Sequence, residues 1–465
     1  LITQNNPKPV LDIEFEIREE QVERLVLFFK NMLATVQSAF LDRNVQSLYN
    51  RVNEIIEITK QKARHTMATF FLFVIYMAFI GLGLPDSVLG ASWPVLHLAL
   101  DVPIAHAGIL SVMTTGGTII SSFMSGRVTK RFGTGRVTLV SVLMTAIALM
   151  GFSYASSFYW LMLLTIPLGL GAGSVDAALN GYVAMHYEAK HMSWLHSFWG
   201  VGATLGPMIM SLFLGRAGGW RTGYFVISLI QVTIVILLFT TLPLWTRFGQ
   251  GTVSGPVPDQ EDSGKGKGIY KIPGVKYAIL SFFAYCAVEM TTGLWGSSYL
   301  VSYQGFTPET AARYTSLFFG GITIGRFITG FITMKFSFRS VIRAGILSIG
   351  SGVLMVLSGF FMLLIPGFLL IGLGCAPIFP GMIHETPQRF GKRHAQSIIG
   401  IQMAFAYMGS TLMPALFGLL AGRGYLWLFT PYLLLMLGIL LFSTERINAL
   451  MKRRTQDEKG KEMIS

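Results

Sequence analysis

Residues 202–220 read GATLGPMIMSLFLGRAGGW, and residues 409–427 read GSTLMPALFGLLAGRGYLW. The two stretches align without gaps. Gly202, Thr204, Leu205, Pro207, Leu212, Gly215, Arg216 and Trp220 recur as Gly409, Thr411, Leu412, Pro414, Leu419, Gly422, Arg423 and Trp427. Two apolar stretches would share leucines through composition alone, but not a paired set of Gly, Pro, Arg and Trp at one spacing. A second pair agrees: GGTIISSFMSGRVTKRF (116–132) aligns with GGITIGRFITGFITMKF (320–336). The chain therefore contains an internal duplication.

What is duplicated follows from composition. The 465 residues are 52% hydrophobic and only 13% charged, against about 25% charged in soluble domains. Crossing a bilayer as a helix takes about 20 apolar residues. Segments of that kind run near 68–97, 104–127, 136–155, 158–187, 191–215 and 221–246. After a polar break come 274–303, 307–335, 339–357, 359–385, 394–420 and 425–443. The expectation is an all-α membrane protein with twelve transmembrane helices in two six-helix bundles, residues 67–246 and 274–445. The break between them, 247–273, is rich in Gly, Pro, Ser and charge (GQGTVSGPVPDQEDSGKGKG), as suits a flexible linker. A parallel six-plus-six duplication is one of the known transporter architectures, with its site between the halves near the membrane midplane.

The first 66 residues differ from everything after them. They are charged, and their apolar residues fall at helical spacing: Val22, Leu25, Val26, Phe29, Leu33 and Val36 in one stripe, Leu48, Val52, Ile55 and Ile56 in a second. This predicts a soluble extension of two amphipathic helices broken near Asp42–Asn44, an accessory or fused segment. It has no signal-peptide pattern of basic, apolar and small-residue regions.

The formal net charge of +13 would hint at nucleic acid in a soluble protein. Here it follows the alternation of loops. Arg127, Lys130, Arg131 and Arg136 lie between the second and third spans. Lys335, Arg339 and Arg343 lie between the eighth and ninth, and Arg389, Lys392 and Arg393 between the tenth and eleventh. The linker and the tail 446–465 add more, whereas the opposite loops hold only Arg216, Arg221, Arg313 and Arg423. The expected topology is a multi-pass plasma (inner) membrane protein with both termini cytoplasmic. Cys286 and Cys375 both sit in apolar runs and read as packing residues.

Charges at the centre of a spanning helix cost roughly 2.5–3.5 kcal/mol each on insertion scales, so they face a cavity or a partner. Four stand out: Asp86 in the first span beside Pro85, Asp176 in the fourth, Glu289 in the seventh and Arg326 in the eighth. Asp86 and Glu289 fall one register apart when the halves are aligned. Asp176 lies in GLGAGSVDAALN (169–180), whose spaced glycines imitate a dinucleotide-binding turn. No strand precedes them, so the glycines are read as helix-packing positions. Asp176 and Asn180, four apart, share a helix face. The carboxylate can take up a proton, and the amide can exchange hydrogen bonds with a hydroxyl-rich ligand.

Asp86, Asp176 and Glu289 are accordingly the proton-coupling candidates. Asn180, His196, Trp199, Trp295, Arg326 and Gln402 are the substrate-binding candidates, the tryptophans for stacking on the apolar face of a sugar. Each has a structural alternative: Arg326 as the partner of Glu289 or Asp176, His196 and the tryptophans as packing residues. His384 and Glu385 read as interface residues. No nucleophile–base constellation, metal cluster or cofactor loop is present in the sequence patterns, so no enzyme and no cofactor is expected.

The twelve-span duplication, with GRVTKRFGTGR (126–136) between the second and third spans, resembles the major facilitator superfamily. That loop departs from the superfamily's signature, which has an acid where Lys130 stands. GSVDAALNGY (173–182) and LHSFWGVGATLGP (195–207) are similar to the fucose permease-type sugar symporters, and the likeness covers residues 67–445. It implies proton coupling and substrate binding by the acids of the first and fourth spans, here Asp86 and Asp176, with Asn180 as a sugar contact. The resulting expectation is a monomeric carrier of a small polar solute, a monosaccharide first, by proton-coupled alternating access through the lipid bilayer. A proton-coupled exporter of amphipathic drugs or lipids and a non-transporting receptor are the alternatives, and no nucleic-acid partner is expected.

Overall fold

The computed structural model describes residues 43–187, 189–249 and 269–462, and they are almost entirely helical. In the first part α1 spans Arg43–Ala99, followed by α2 (His106–Phe132), α3 (Thr134–Tyr154), α4 (Phe158–His186), α5 (Ala189–Ser211), α6 (Gly219–Thr240) and a short α7 (Leu242–Gly249). In the second come α8 (Val275–Ser302), α9 (Pro308–Ile332), α10 (Phe338–Leu357), α11 (Phe361–Cys375), α12 (Ile378–Phe390), α13 (Lys392–Gly422) and α14 (Phe429–Glu462). Among the described residues, eleven helices are long and apolar enough to cross a membrane, with α1 contributing Met67–Ala99 and α11 and α12 counting together as Phe361–Phe390. The 23-residue α5 supplies the twelfth span.

Four boundaries differ from expectation, two of them because of proline. The sixth span stops at Thr240 rather than 246, and α7 begins with Pro243 in its first turn. The tenth is two helices, interrupted at Ala376–Pro377 where the ring removes a donor and blocks the turn before it. The described part of the extension, from Arg43 on, is one helix that runs unbroken into the first span. The tail expected from 446 is a continuation of α14 as far as Glu462. The first stripe of the extension and most of the linker lie outside the described residues.

By contacts the chain divides into two compact units, Leu1–Ile75 with Leu237–Val253 and Tyr76–Ile236 with Ser254–Ser465. Within the first, Phe71 meets Trp245 edge-on at 4.7 Å. The second holds both halves of the repeat and one large apolar core, including Trp93, Trp220, Trp295, Phe282, Phe318 and Phe368. Its outward surface is apolar too: Phe123, Tyr159, Phe331 and Met362 are among many exposed large side chains. That is the surface a bilayer solvates.

The duplication is realised contact by contact. A side chain at Gly202 of α5 would strike the Ile80 carbonyl of α1, and one at Gly409 of α13 would strike the Phe283 carbonyl of α8. Gly169 of α4 abuts Thr114 of α2 as Gly372 of α11 abuts Phe318 of α9. Gly171 meets the Ser141 carbonyl as Gly374 meets that of Gly345. These pairs explain the small residues: only hydrogen at Cα lets the helix backbones touch. Hydroxyls finish the α2–α4 seam, with Thr118 Oγ1 donating to the Gly169 carbonyl at 3.2 Å and Ser122 Oγ to that of Gly173 at 3.2 Å. The glycines of GLGAGSVDAALN are therefore packing positions. Gly169→Leu is expected to destabilise the protein by at least about 1–3 kcal/mol, the usual range for overpacking. Thermal unfolding in detergent reads this, and an unchanged midpoint would contradict the packing account.

Arg131–Phe132–Gly133 and Arg389–Phe390–Gly391 make the same turn at the basic end, between α2 and α3 and between α12 and α13. Both glycines have φ +81°, a conformation that side-chain-bearing residues rarely adopt.

Candidate functional site

Between the halves, contacts among the described residues include three seams, α5 against α9, α2 against α13 and α1 against α8. Ser316 Oγ donates to the Thr204 carbonyl at 2.9 Å, Thr204 and Thr323 hydroxyls meet at 3.3 Å, and Ser297 Oγ reaches the Ala91 carbonyl at 3.4 Å. Gly90 abuts Gly293, Gly108 abuts Ala415, and Gly422 abuts Ala105. These contacts lie from mid-depth to the end away from the basic loops. Toward the basic end Gly126, Gly181, Gly330 and Gly400 are exposed, and a side chain added to any of them would meet nothing within 4 Å. Among the described residues, the halves are packed together at the end away from the basic loops, the closed end, and these four glycines make no such contact at the basic, or open, end.

At the foot of the closed section the predicted charges converge. Trp199 Nε1 of α5 donates to Asp86 Oδ2 of α1 at 2.8 Å. The Arg326 guanidinium of α9 lies over the same indole, 4.9 Å from the ring centroid. Arg326 Nη1 donates to the His196 carbonyl at 3.3 Å, and Nη2 is 3.8 Å from Glu289 Oε1 of α8. The pair is largely enclosed, with side chains 18% and 12% exposed. Asp86 is exposed, although its helix neighbours Gly83, Leu84, Pro85, Ser87 and Val88 are all buried. A mid-helix carboxylate that bonds across to α5 and is still accessible lines a cavity, not lipid.

Asp176 of α4 accepts from Asn180 Nδ2 at 2.8 Å. Its charge also interacts with Asp86 and, across the seam, with Tyr407 of α13. Asn180 Oδ1 is enclosed and has no hydrogen-bond partner within the protein. A buried acceptor without a partner is costly, so a donor from solvent or ligand belongs there.

Asp86 and Glu289 are corrected in register. With Ile80 and Phe283 as equivalent contacts of Gly202 and Gly409, Asp86 and Glu289 are six residues further on in each half. They occupy the same position of the repeat, not one register apart. Gly90 and Gly293 are likewise equivalent, and they touch each other. Asp176 has no acidic counterpart: matching Gly169 with Gly372 places Phe379 there.

Six of the predicted residues thus gather around Trp199 and Arg326 or lie beside Asp176: Asp86, Glu289, Trp199, Arg326, Asp176 and Asn180. His196 joins through its carbonyl, while its imidazole is turned edge-on to Phe79 at 5.9 Å. Two do not join. Trp295 is fully buried, donates to the Pro414 carbonyl at 2.8 Å and packs on Phe417 and Gly418, so it seals α8 to α13. Gln402 is buried, with Oε1 accepting from Thr386 Oγ1 at 3.1 Å. Two tyrosines were not anticipated. Tyr285, one turn before Glu289, interacts with both Glu289 and Arg326, and Tyr407 interacts with Asp176. The four-residue spacing was a usable signal for Tyr285; Tyr407 carries none. Glu385, which is buried, holds Arg389 and lies 3.5 Å from Arg339, and His384 stacks on Phe338 at 4.2 Å.

The family model described as Major Facilitator Superfamily matches residues 67–269 and 277–462. The chain is 24% identical to Bypass of stop codon protein 6 of Saccharomyces cerevisiae over 84% of this chain and 87% of that protein. It is 24% identical to the cis,cis-muconate transport protein of Acinetobacter baylyi, covering 77% and 89% respectively. The crystal structure of a D-xylose–proton symporter superposes with a TM-score of 0.61 at 14% identity, covering 81% of this chain and 96% of the symporter.

Proposed function

Because the chain belongs to the Major Facilitator Superfamily, and so is a multi-pass membrane transporter and not an enzyme, we propose that it carries a monosaccharide or similar uncharged polyol together with protons. The observation that supports this most is the charge inventory of the cavity: three carboxylates, Asp86, Asp176 and Glu289, against the single guanidinium of Arg326. An anionic cargo such as a dicarboxylate would meet net repulsion there. Arg326 would not relieve it, because Glu289, the Trp199 face and the His196 carbonyl already occupy it. Hydroxyl donors, by contrast, suit carboxylates and the unpartnered Asn180 Oδ1.

Carboxylates inside a membrane carry charge that resists movement through it. Proton uptake by Asp86 and Asp176 removes that charge and lets the loaded carrier reorient, with the first six spans rocking against the last six about the cavity. The spread of cargo among relatives makes direct measurement the test. Purified protein is titrated with a panel of radiolabelled hexoses and pentoses and with cationic dyes, under an imposed pH gradient in proteoliposomes. Saturable, gradient-dependent uptake of one or more sugars is expected. Transport of the dyes with no sugar uptake would favour the amphipathic-cargo alternative.

A further inference from the structure

We infer that Trp199 is a positioning residue that transmits the protonation state of Asp86 to the contact between the two halves, rather than a platform for sugar stacking. The inference rests on the proton-coupled reading above. It is carried by the geometry of one indole with two occupied surfaces. Its N–H is given to Asp86 at 2.8 Å, and a face is covered by Arg326 at 4.9 Å. The ring is half-buried and also packs against the apolar core.

Arg326 is a latch. From the second half it reaches into the first, where the Trp199 ring and the His196 carbonyl, three residues apart on α5, hold it. Among the described residues its acidic partner is Glu289, on its own half. Along the α5–α9 seam it forms the rung next below Gly200–Thr323, toward the open end. Rocking that opens the closed end has to change this rung.

Asp86 acts on the latch through the ring. As a carboxylate it anchors the indole by a charge-assisted bond, roughly twice as strong as a neutral one. It also places negative charge at the N–H edge of the ring, which makes the ring's face more attractive to the cation that rests on it. A proton arriving from the open side converts that bond to a neutral one and removes the charge. The hold of α5 on Arg326 weakens, and Glu289, its repeat-equivalent acid, keeps the cation within the second half. The charged group that acts on Asp86 directly is Asp176 of α4, which Tyr407 of α13 faces in turn. Arg326 of α9, paired with Glu289 of α8, meets the other side of the contact at the Trp199 ring, and the His196 ring is turned away onto Phe79. Of these, Arg326 alone both bears charge against the Trp199 ring and crosses between halves by a described contact.

The test separates Trp199 from the coupling it serves. Spin labels at Leu98→Cys and Tyr425→Cys, both exposed at the closed end and one in each half, report its opening by pulsed dipolar spectroscopy from pH 8 to pH 5. In the otherwise unaltered protein the long-distance fraction should grow as pH falls. Trp199→Phe keeps a ring for Arg326 but has no N–H for Asp86, and its distance distribution should be flat with pH. In transport it should retain solute exchange and lose pH-driven accumulation. If Trp199→Phe follows the parent's pH profile, the inference is overturned while the coupling stands. If the parent itself shows no pH dependence, the proton-coupled reading fails first, and this one with it.

Discussion

Asp176→Asn is expected to abolish uphill, pH-driven uptake while leaving solute exchange across the membrane intact. The substitution is close to isosteric. Its amide oxygen can still accept from Asn180 Nδ2, which now gives 2.8 Å to the carboxylate, so the helix face keeps its shape. What it loses is the ability to change charge. A permanently neutral side chain resembles the protonated state, in which the loaded carrier reorients, but it cannot release a proton on the far side. With a gradient of two pH units and one proton per solute, the thermodynamic ceiling of accumulation is about a hundredfold, since each tenfold is worth about 1.4 kcal/mol. The variant should reach no accumulation at all. Counterflow of labelled against unlabelled solute in proteoliposomes supplies the control. Undiminished uphill uptake by the variant would remove Asp176 from the coupling path.

Arg326→Ala should have an equally large effect of a different kind. It leaves Glu289, 12% exposed, without its cation, and breaking an enclosed ion pair from one side typically costs about 3–5 kcal/mol. It also removes the cation from the Trp199 face and the donor from the His196 carbonyl. Thermal unfolding should therefore shift strongly downward and transport should vanish. The double variant Arg326→Ala/Glu289→Ala distinguishes the two losses. Removing both charges takes away the stranded carboxylate, so much of the stability should return, the non-additivity expected of groups in contact. Transport should not return, because the latch between halves is still absent. A double variant as unstable as the single one would show that the pair is not what Arg326 stabilises.

The architecture was legible because lipid imposes a harsh rule. Every spanning segment must be a long apolar helix, and helices packed backbone to backbone need glycine at the crossing points. The repeated Gly, Thr and Pro of 202–207 and 409–414 recorded those crossings directly. The charged part of the site was legible for the same reason, since Asp86, Asp176, Glu289 and Arg326 could not face lipid. The rest depended on helix rotation, which sequence does not carry. Trp199 and Trp295 each sit beside glycines in an apolar run, yet one meets Asp86 and Arg326 while the other is sealed against Pro414 and Phe417. Gln402 looked like an amide in a cavity, and Thr386 takes it instead. The equivalence of Asp86 and Glu289 became visible only when the glycine contacts fixed the register of the first span on the seventh.

The central claim is that solute and proton move together through a cavity governed by Asp86 and Asp176. Its most direct test is to add transported sugar to lightly buffered, de-energised proteoliposomes and record the external pH. The account predicts an immediate alkalinisation that scales with the sugar taken up, disappears with a protonophore and is absent in Asp176→Asn. Sugar entry with no change in external pH would contradict it.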